Sequence, residues 1–350
     1  MEAGADEPAQ PPAERAETDA RPTIEARGMV QVRYHLVDDQ DLDASVLSSE
    51  DQSTFFLRRA RVQASFRPDE RILLTLEGEL STPDEPVRDA YARYRFAKAL
   101  EVTAGNLKRP FGATELDGAW EILTAERGLV SSRLRDLELS GRDIGFLLSG
   151  RFKRLAGLRY AAGLFNGDGG GLSGEGLSKL VPGAAARLSV SPGPLTVGAA
   201  VSWNGKEVDT VVTPAGWAVE GDATLDSRWL FARVEGFLGK NRRAVYGQYD
   251  HYAGALAILT ARIRVPAICT TFEPGFKAEL LDTSTSQKND ELLLLTPLVR
   301  VHLGEHFVLH LEGNVLLREA FDAARPEEGG VRLEDQVPQE TFLVQLGARV

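Results

Sequence analysis

The chain has 350 residues, 43% hydrophobic and 26% charged, the balance of a folded protein rather than a disordered one. Its formal charge of -11 argues against a general nucleic-acid binder, which carries a basic excess. A helical membrane protein is excluded: the densest apolar run, "LLLLTPLV" at 292–299, contains Pro297 and is far shorter than the roughly 18 residues of a spanning helix.

The first stretch, "MEAGADEPAQPPAERAETDARP", is acidic and rich in Ala and Pro, and reads as a disordered arm over residues 1–23 ahead of a single domain at 24–350. It lacks the basic and apolar regions of a signal peptide, so for an exported protein the numbering begins after a removed leader. Cys269 stands alone, which rules out an intrachain disulfide and is compatible with a Gram-negative envelope protein.

From Ile24 the pattern is alternation. In "IEARGMVQVRYHL", Ile24, Ala26, Val30, Val32, Tyr34 and Leu36 share one face, and Glu25, Arg27, Gln31, Arg33 and His35 the other. In "FLRRARVQASF" (56–66), Ala60, Val62, Ala64 and Phe66 oppose Arg59, Arg61, Gln63 and Ser65. Comparable runs follow near 71–81, 87–97, 99–107, 142–152, 156–165, 181–191, 194–204, 216–226, 228–239, 252–264, 270–281, 291–304, 306–319 and 340–350. With the first two they number about sixteen, each long enough for the roughly 9–11 residues of a tilted membrane-crossing strand.

The joins alternate as well. "PDE" (68–70), "KRL" (153–155), "SPGP" (191–194) and "GE" (304–305) are tight turns. Between them lie longer polar segments at 38–53, 108–141, 166–180, 205–215, 240–251, 282–290 and 320–339, with the short 82–86 as an exception. Short periplasmic turns at one rim and longer extracellular loops at the other are the signature of an all-β transmembrane antiparallel barrel. A barrel of about sixteen strands encloses water. The face of Arg59 and Arg61 then points to the lumen and that of Val62 and Phe66 to lipid. Arg58 falls on the nominal lipid face, at a rim where it can snorkel to headgroups. A soluble β-sandwich binding protein and an outer-membrane barrel enzyme are the alternative readings.

Within residues 54–168, "FLRRARVQASF", "VRDAYARYRF", "VTAGNLKRPFGATEL", "AERGLVSSRL", "GRDIGFLLSG" and "YAAGLFNGDG" occur in the order of the phosphate-selective porin O/P family of Gram-negative outer membranes, which the chain resembles. "GNLKRPFG" and "GRDIGFLLSG" are the most specific of these. The resemblance implies a sixteen-stranded, trimeric barrel passing small anions by diffusion, but no phosphate site transfers residue by residue. It also implies that the third loop, here 108–141, folds inward and narrows the channel. Residues 119–127 are expected to form a short helix there, and Arg109, Arg127, Arg133 and Arg135, beside Glu121 and Glu126, either line the constriction or anchor the loop. In "TFLVQLGARV" the alternation suits a closing strand, although outer-membrane proteins usually end on an aromatic residue and this chain ends on Val350.

The pore-lining candidates are Arg27, Arg33, Arg59, Arg61, Arg67, Arg93, Arg95, Arg151 and Arg159. Glu25, Glu77, Glu79, Asp89, Glu101 and Asp143 share their face, and Glu220, Asp222 and Asp226 make the later strands more acidic. The modest arginine excess predicts a weak preference for anions such as phosphate. "NGDGGG" (166–171) lacks the lysine and serine of a phosphate-binding loop and reads as an outer loop. His302, His306 and His310 lie on strands without a completing ligand set, and no glycine-framed nucleophile occurs. The sequence therefore predicts an outer-membrane diffusion porin without metal, cofactor or catalytic step. Its expected surroundings are outer-membrane lipid and lipopolysaccharide, and its expected cargo small anionic or neutral solutes.

Overall fold

Period-two alternation turns into sheet along the whole domain. A computed structural model describes residues 22–38, 52–82, 86–167, 183–205, 215–241, 250–268, 270–286, 291–318 and 340–350. The first-half strands are β1 (Thr23–Asp38), β2 (Gln52–Arg67), β3 (Ile72–Glu79), β4 (Val87–Ala97), β5 (Leu100–Lys108), β6 (Arg142–Phe152), β7 (Leu158–Phe165) and β8 (Gly183–Val190). There follow β9 (Leu195–Asn204), β10 (Gly216–Asp226), β11 (Leu230–Lys240), β12 (His251–Ala261) and β13 (Ile263–Val265). The last four are β14 (Thr270–Asp282), β15 (Glu291–Leu303), β16 (Phe307–Arg318) and β17 (Glu340–Arg349).

Each strand pairs antiparallel with its neighbours. β12 and the three-residue β13 both pair with β14, so together they form one interrupted stave and the wall has sixteen. β17 returns to β1 in the register Met29↔Arg349, Val32↔Leu346 and Leu36↔Phe342. Gly28 and Val350 exchange two backbone hydrogen bonds of 3.1 Å at the seam. The strand ending in a non-aromatic residue thus closes the barrel, leaving no edge for which backbone donors must find another partner. No helix among the described residues is long and apolar enough to cross a membrane.

The alternation sorts side chains as expected. Val62, Leu76, Phe146, Leu188, Val234 and Leu259 are exposed on the outside, while Arg59, Glu79, Asp143, Glu220 and Glu279 are buried within the lumen. Phe96, Phe152, Tyr160 and Trp229 lie on or beside the strand ends at the turn rim, with Arg228 stacked 4.1 Å over the Trp229 ring, as suits an interfacial girdle.

Arg58 corrects the simple alternation. Gln31 pairs with Arg59 but Val32 pairs with Leu57, which leaves Arg58 as the extra residue of a β-bulge. The bulge turns two successive arginines to the same side. Arg58 therefore reaches into the lumen, 2.5 Å from Glu126, rather than snorkelling at the lipid face.

The join between β5 and β6 is the third at the outer rim and lies inside the barrel. It carries α1 (Ala113–Leu116) and α2 (Leu129–Asp136), and the helix expected over 119–127 is absent. That stretch is bound piecewise to the wall instead: the Ala125 N–H donates to the Glu312 carboxylate, and the Ala125 carbonyl accepts from Arg33 and Arg59, each at 3.3 Å. Backbone groups satisfied by the barrel need no helix. Of the arm expected over residues 1–23, residues 1–21 lie outside the described residues, as do Cys269 and most of "NGDGGG", and Thr23 is already the first residue of β1.

Candidate functional site

The inner loop has an apolar side, and it covers a matching apolar inner wall. Phe111, Val130, Leu134, Leu137 and Leu139 pack with Ala200, Ala218, Phe237 and Tyr252. Leu123 packs with Phe231, Leu256, Ile258 and Leu298, and Leu129 with Leu281, Leu292, Leu294 and Leu316. Burying each large side chain contributes roughly 1.5–3 kcal/mol, so these contacts decide which half of the lumen the loop occupies. It lies against β9–β16, and the charged inner face of the early strands stays uncovered by this packing.

Polar contacts fix the loop in register. The N–H groups of Gly112 and Ala113 donate to the Glu220 carboxylate at 2.7 and 2.8 Å, and the Thr114 N–H to Glu235 at 2.8 Å. Arg233 meets Asp117 at 2.6 Å. At the far end Gly128 presses its backbone onto the Lys277–Glu279 ion pair, and the Val130 N–H donates to Glu279 at 3.2 Å.

Glu126 is the central contact with β1 and β2. Its carboxylate lies 2.5 Å from Arg58, 2.7 Å from Arg33 and 3.0 Å from Arg59. Burial alone would raise its pKa; the nearby charges of Arg59, Arg58 and Arg33 reverse that and hold the carboxyl well below the usual range. A cavity of about 320 Å³ opens beside it, lined among others by Arg33, His35, Arg58, Arg135 and Lys277. A second, of about 210 Å³, is lined among others by Arg27, Arg61, Trp120, Glu121 and Arg349.

The predicted residues fall into distinct environments. Arg109 is fully enclosed, donating to the carbonyls of Glu138 (2.6 Å) and Trp203 (3.0 Å), and lies over the Phe165 ring. Arg133 is buried and donates to Asn241. Arg127 donates to the Asp117 and Thr114 carbonyls, and Arg135 lies 3.8 Å from Glu115. Glu121 accepts from the Gly118 N–H. These contacts tie the loop together and to the wall.

Among the wall residues, Arg61 is paired with Glu79 at 2.6 Å, Arg95 with Glu101 at 2.5 Å, and Arg93 with Thr103 at 3.3 Å. Arg27 is 3.5 Å from Glu25, which also holds Arg67 at 2.5 Å. Asp89 and Glu77 hold Arg142, whereas Asp226 pairs with Arg262 at the rim. Arg151 and Arg159 stand directly across from each other on β6 and β7, exposed and with no acidic partner among the described residues.

Arg187 escaped the sequence reading; it pairs with Asp222 at 2.7 Å and Glu220 at 3.3 Å, and its place on the lumen parity of β8 is the signal that could have found it. Gln31, Gln345 and Glu312 were also missed, since nothing local distinguishes them from other polar lumen positions. His302 and His310 pair with Glu273 (3.1 Å) and Glu312 (3.7 Å), and no group of three potential metal ligands occurs among the described residues.

A family model described as "Phosphate-selective porin O and P" matches residues 30–220. No curated protein sequence matches the chain. Among solved structures, the anion-selective porin from Comamonas acidovorans is similar at 14% identity and TM-score 0.59, over 94% of this chain and 99% of that one. The outer-membrane channel DcaP of Acinetobacter baumannii is similar at 12% identity and TM-score 0.60, over 95% and 99%. The trimer form of OmpT, an outer membrane protein of Vibrio cholerae, gives 12% and 0.59, over 94% and 99%. At such identities the structural likeness is one of fold.

Proposed function

Because the chain belongs to the phosphate-selective porin O and P family, whose model spans more than half of it, we propose that this outer-membrane porin passes small hydrophilic solutes by diffusion with a weak preference for anions. The barrel is a channel of the Gram-negative outer membrane. The anion preference rests on the Arg151–Arg159 pair. Like charges directly opposite each other on neighbouring strands are unfavourable, and these two lack an acidic partner among the described residues. Their guanidinium groups stay charged at any relevant pH and offer forked donors to phosphate or carboxylate.

In this reading the inner loop is the constriction. Arg151 and Arg159 draw anions along the early strands, Arg93 and Arg95 are neutralised by Glu101, and Arg33, Arg59, Arg109 and Arg133 hold the loop in place. No catalytic step is involved, and lipid and lipopolysaccharide surround the outer face. The trimer form of the Vibrio cholerae neighbour supports assembly of three copies here.

Reconstitution in a planar bilayer tests the reading, with single-channel conductance and reversal potential recorded in a KCl gradient. Discrete steps with a reversal potential on the anion side are expected. Folded protein without steps would remove the porin reading, and a cation-side reversal potential would remove the anion preference.

A further inference from the structure

Glu126 offers one carboxylate to three guanidinium groups that are themselves fixed in place. Arg33 donates to Gln345 at 2.8 Å, Arg59 to Gln31 at 2.6 Å, and both to the Ala125 carbonyl. A further carboxylate lining the same cavity, Glu312, accepts from the Ala125 N–H. Three cations thus surround one anion, and the anion belongs to the loop rather than to the wall. The cluster is open to water on one side: the Glu126 and Arg58 side chains are 38% and 32% exposed, and both line the 320 Å³ cavity.

We propose that Glu126 is the specificity-determining residue of the channel, an internal anion filling an oxyanion site built by Arg33, Arg58 and Arg59. Anions attracted into the lumen are then passed on at this level rather than held. The inference rests on the porin reading and names what tunes it. A carboxylate and a phosphate compete for the same forked donors, and a tethered competitor acts at an effective concentration on the order of millimolar or more. Replacing Glu126 by Gln keeps the side chain's shape and removes its charge. Arg33 and Arg58 would then face the cavity, with Arg59 buried beside them, unneutralised by the loop. If Glu126 were only a latch, the same change would loosen the loop and raise conductance for all ions without creating affinity for oxyanions.

The experiment uses the full chain in planar bilayers, titrating inorganic phosphate against the chloride current. The wild-type current is expected to resist sub-millimolar phosphate. Glu126→Gln should be blocked at a phosphate concentration lower by about tenfold or more, with its reversal potential moved further to the anion side. Adding Arg58→Gln to that variant should return the phosphate response to the wild-type level. Equal phosphate responses of wild type and Glu126→Gln overturn the proposal, whatever happens to conductance. So does sub-millimolar block of the wild type, a result that decides the matter even if the variant fails to assemble. An absence of channel steps from the wild type is a different outcome and removes the porin reading together with this one.

Discussion

Arg151 of β6 stands directly opposite Arg159 of β7 on the inner wall, and neither has a carboxylate partner among the described residues. Changing both to Glu takes the pair from +2 to -2, a swing of four charges at one level of the channel. Lumen positions are solvated, so the barrel should still assemble, and substitutions there tune selectivity rather than stability. The reversal potential should move toward cations, most clearly at low salt, where screening is weakest. An unchanged reversal potential in a folded channel would show that this pair does not face the permeation path.

Val62 and Arg59 test the two faces of β2. Val62 is exposed on the outside, and Val62→Glu should impair assembly, since a charge near the bilayer midplane costs on the order of a few kcal/mol, less for an acid than for Arg. Arg59 is only 3% exposed and braces Ala125 and Glu126. Arg59→Glu should therefore leave the barrel folded but set two carboxylates together and free the loop, giving larger and noisier conductance. Heat-modifiable migration on gels would report assembly, and bilayer recordings the loop. A tolerated Val62→Glu with an unassembled Arg59→Glu would mean that the faces are inverted.

Gly128 carries a backbone angle φ of +102°, in the left-handed region that favours glycine, and a Cβ there would clash with the Glu279 carboxylate and the Lys277 ammonium. Gly128→Val should push the loop away from β14 and raise single-channel conductance. This is a cleaner probe than deleting about residues 116–136, because the deletion would also bare Leu256, Ile258, Leu281 and Leu294 to lumen water. Wild-type conductance from folded Gly128→Val would place the narrowest section elsewhere.

The Glu126 latch also sets a pH dependence. Its folded pKa is depressed, so its contribution is fully present above the unfolded value of about 4.3 and is lost as the pH falls through the folded value. The groups facing it are Arg33, Arg58 and Arg59; Glu312 lies behind Ala125, and His35 lines the shared cavity. Conductance should stay level from pH 7 to about 4 and rise only at more acidic pH, with no such step in Glu126→Gln. A rise centred on the ordinary carboxylate range would show that the three arginines do not hold this group.

Alternation in runs such as "IEARGMVQVRYHL" and "FLRRARVQASF", repeated along the chain, by itself determined the strands, their approximate number and, Arg58 apart, the two faces. A period of two leaves no freedom once one side is apolar, and a slip of one residue would reverse every side chain. The alternation of short and long joins likewise determined the barrel, and the length of 108–141 marked the loop that enters it. What only the tertiary structure decided is how the charges are used. Arg58 turns inward because β1 and β2 differ by one residue in register at Gln31, and nothing in the letters "RR" announces a bulge. Arg33, Arg59 and Arg109 read as lumen or constriction charges, yet become supports because their partners, Glu126, Ala125, Glu138 and Trp203, come from distant parts of the chain. The loop lies against β9–β16 because Leu256, Ile258, Leu292 and Leu294 make that inner wall apolar, and burying it outweighs keeping the lumen evenly open. Pattern along a strand is local and legible; the choice between a charge that is paired and one left for solutes depends on contacts that form only when the barrel closes.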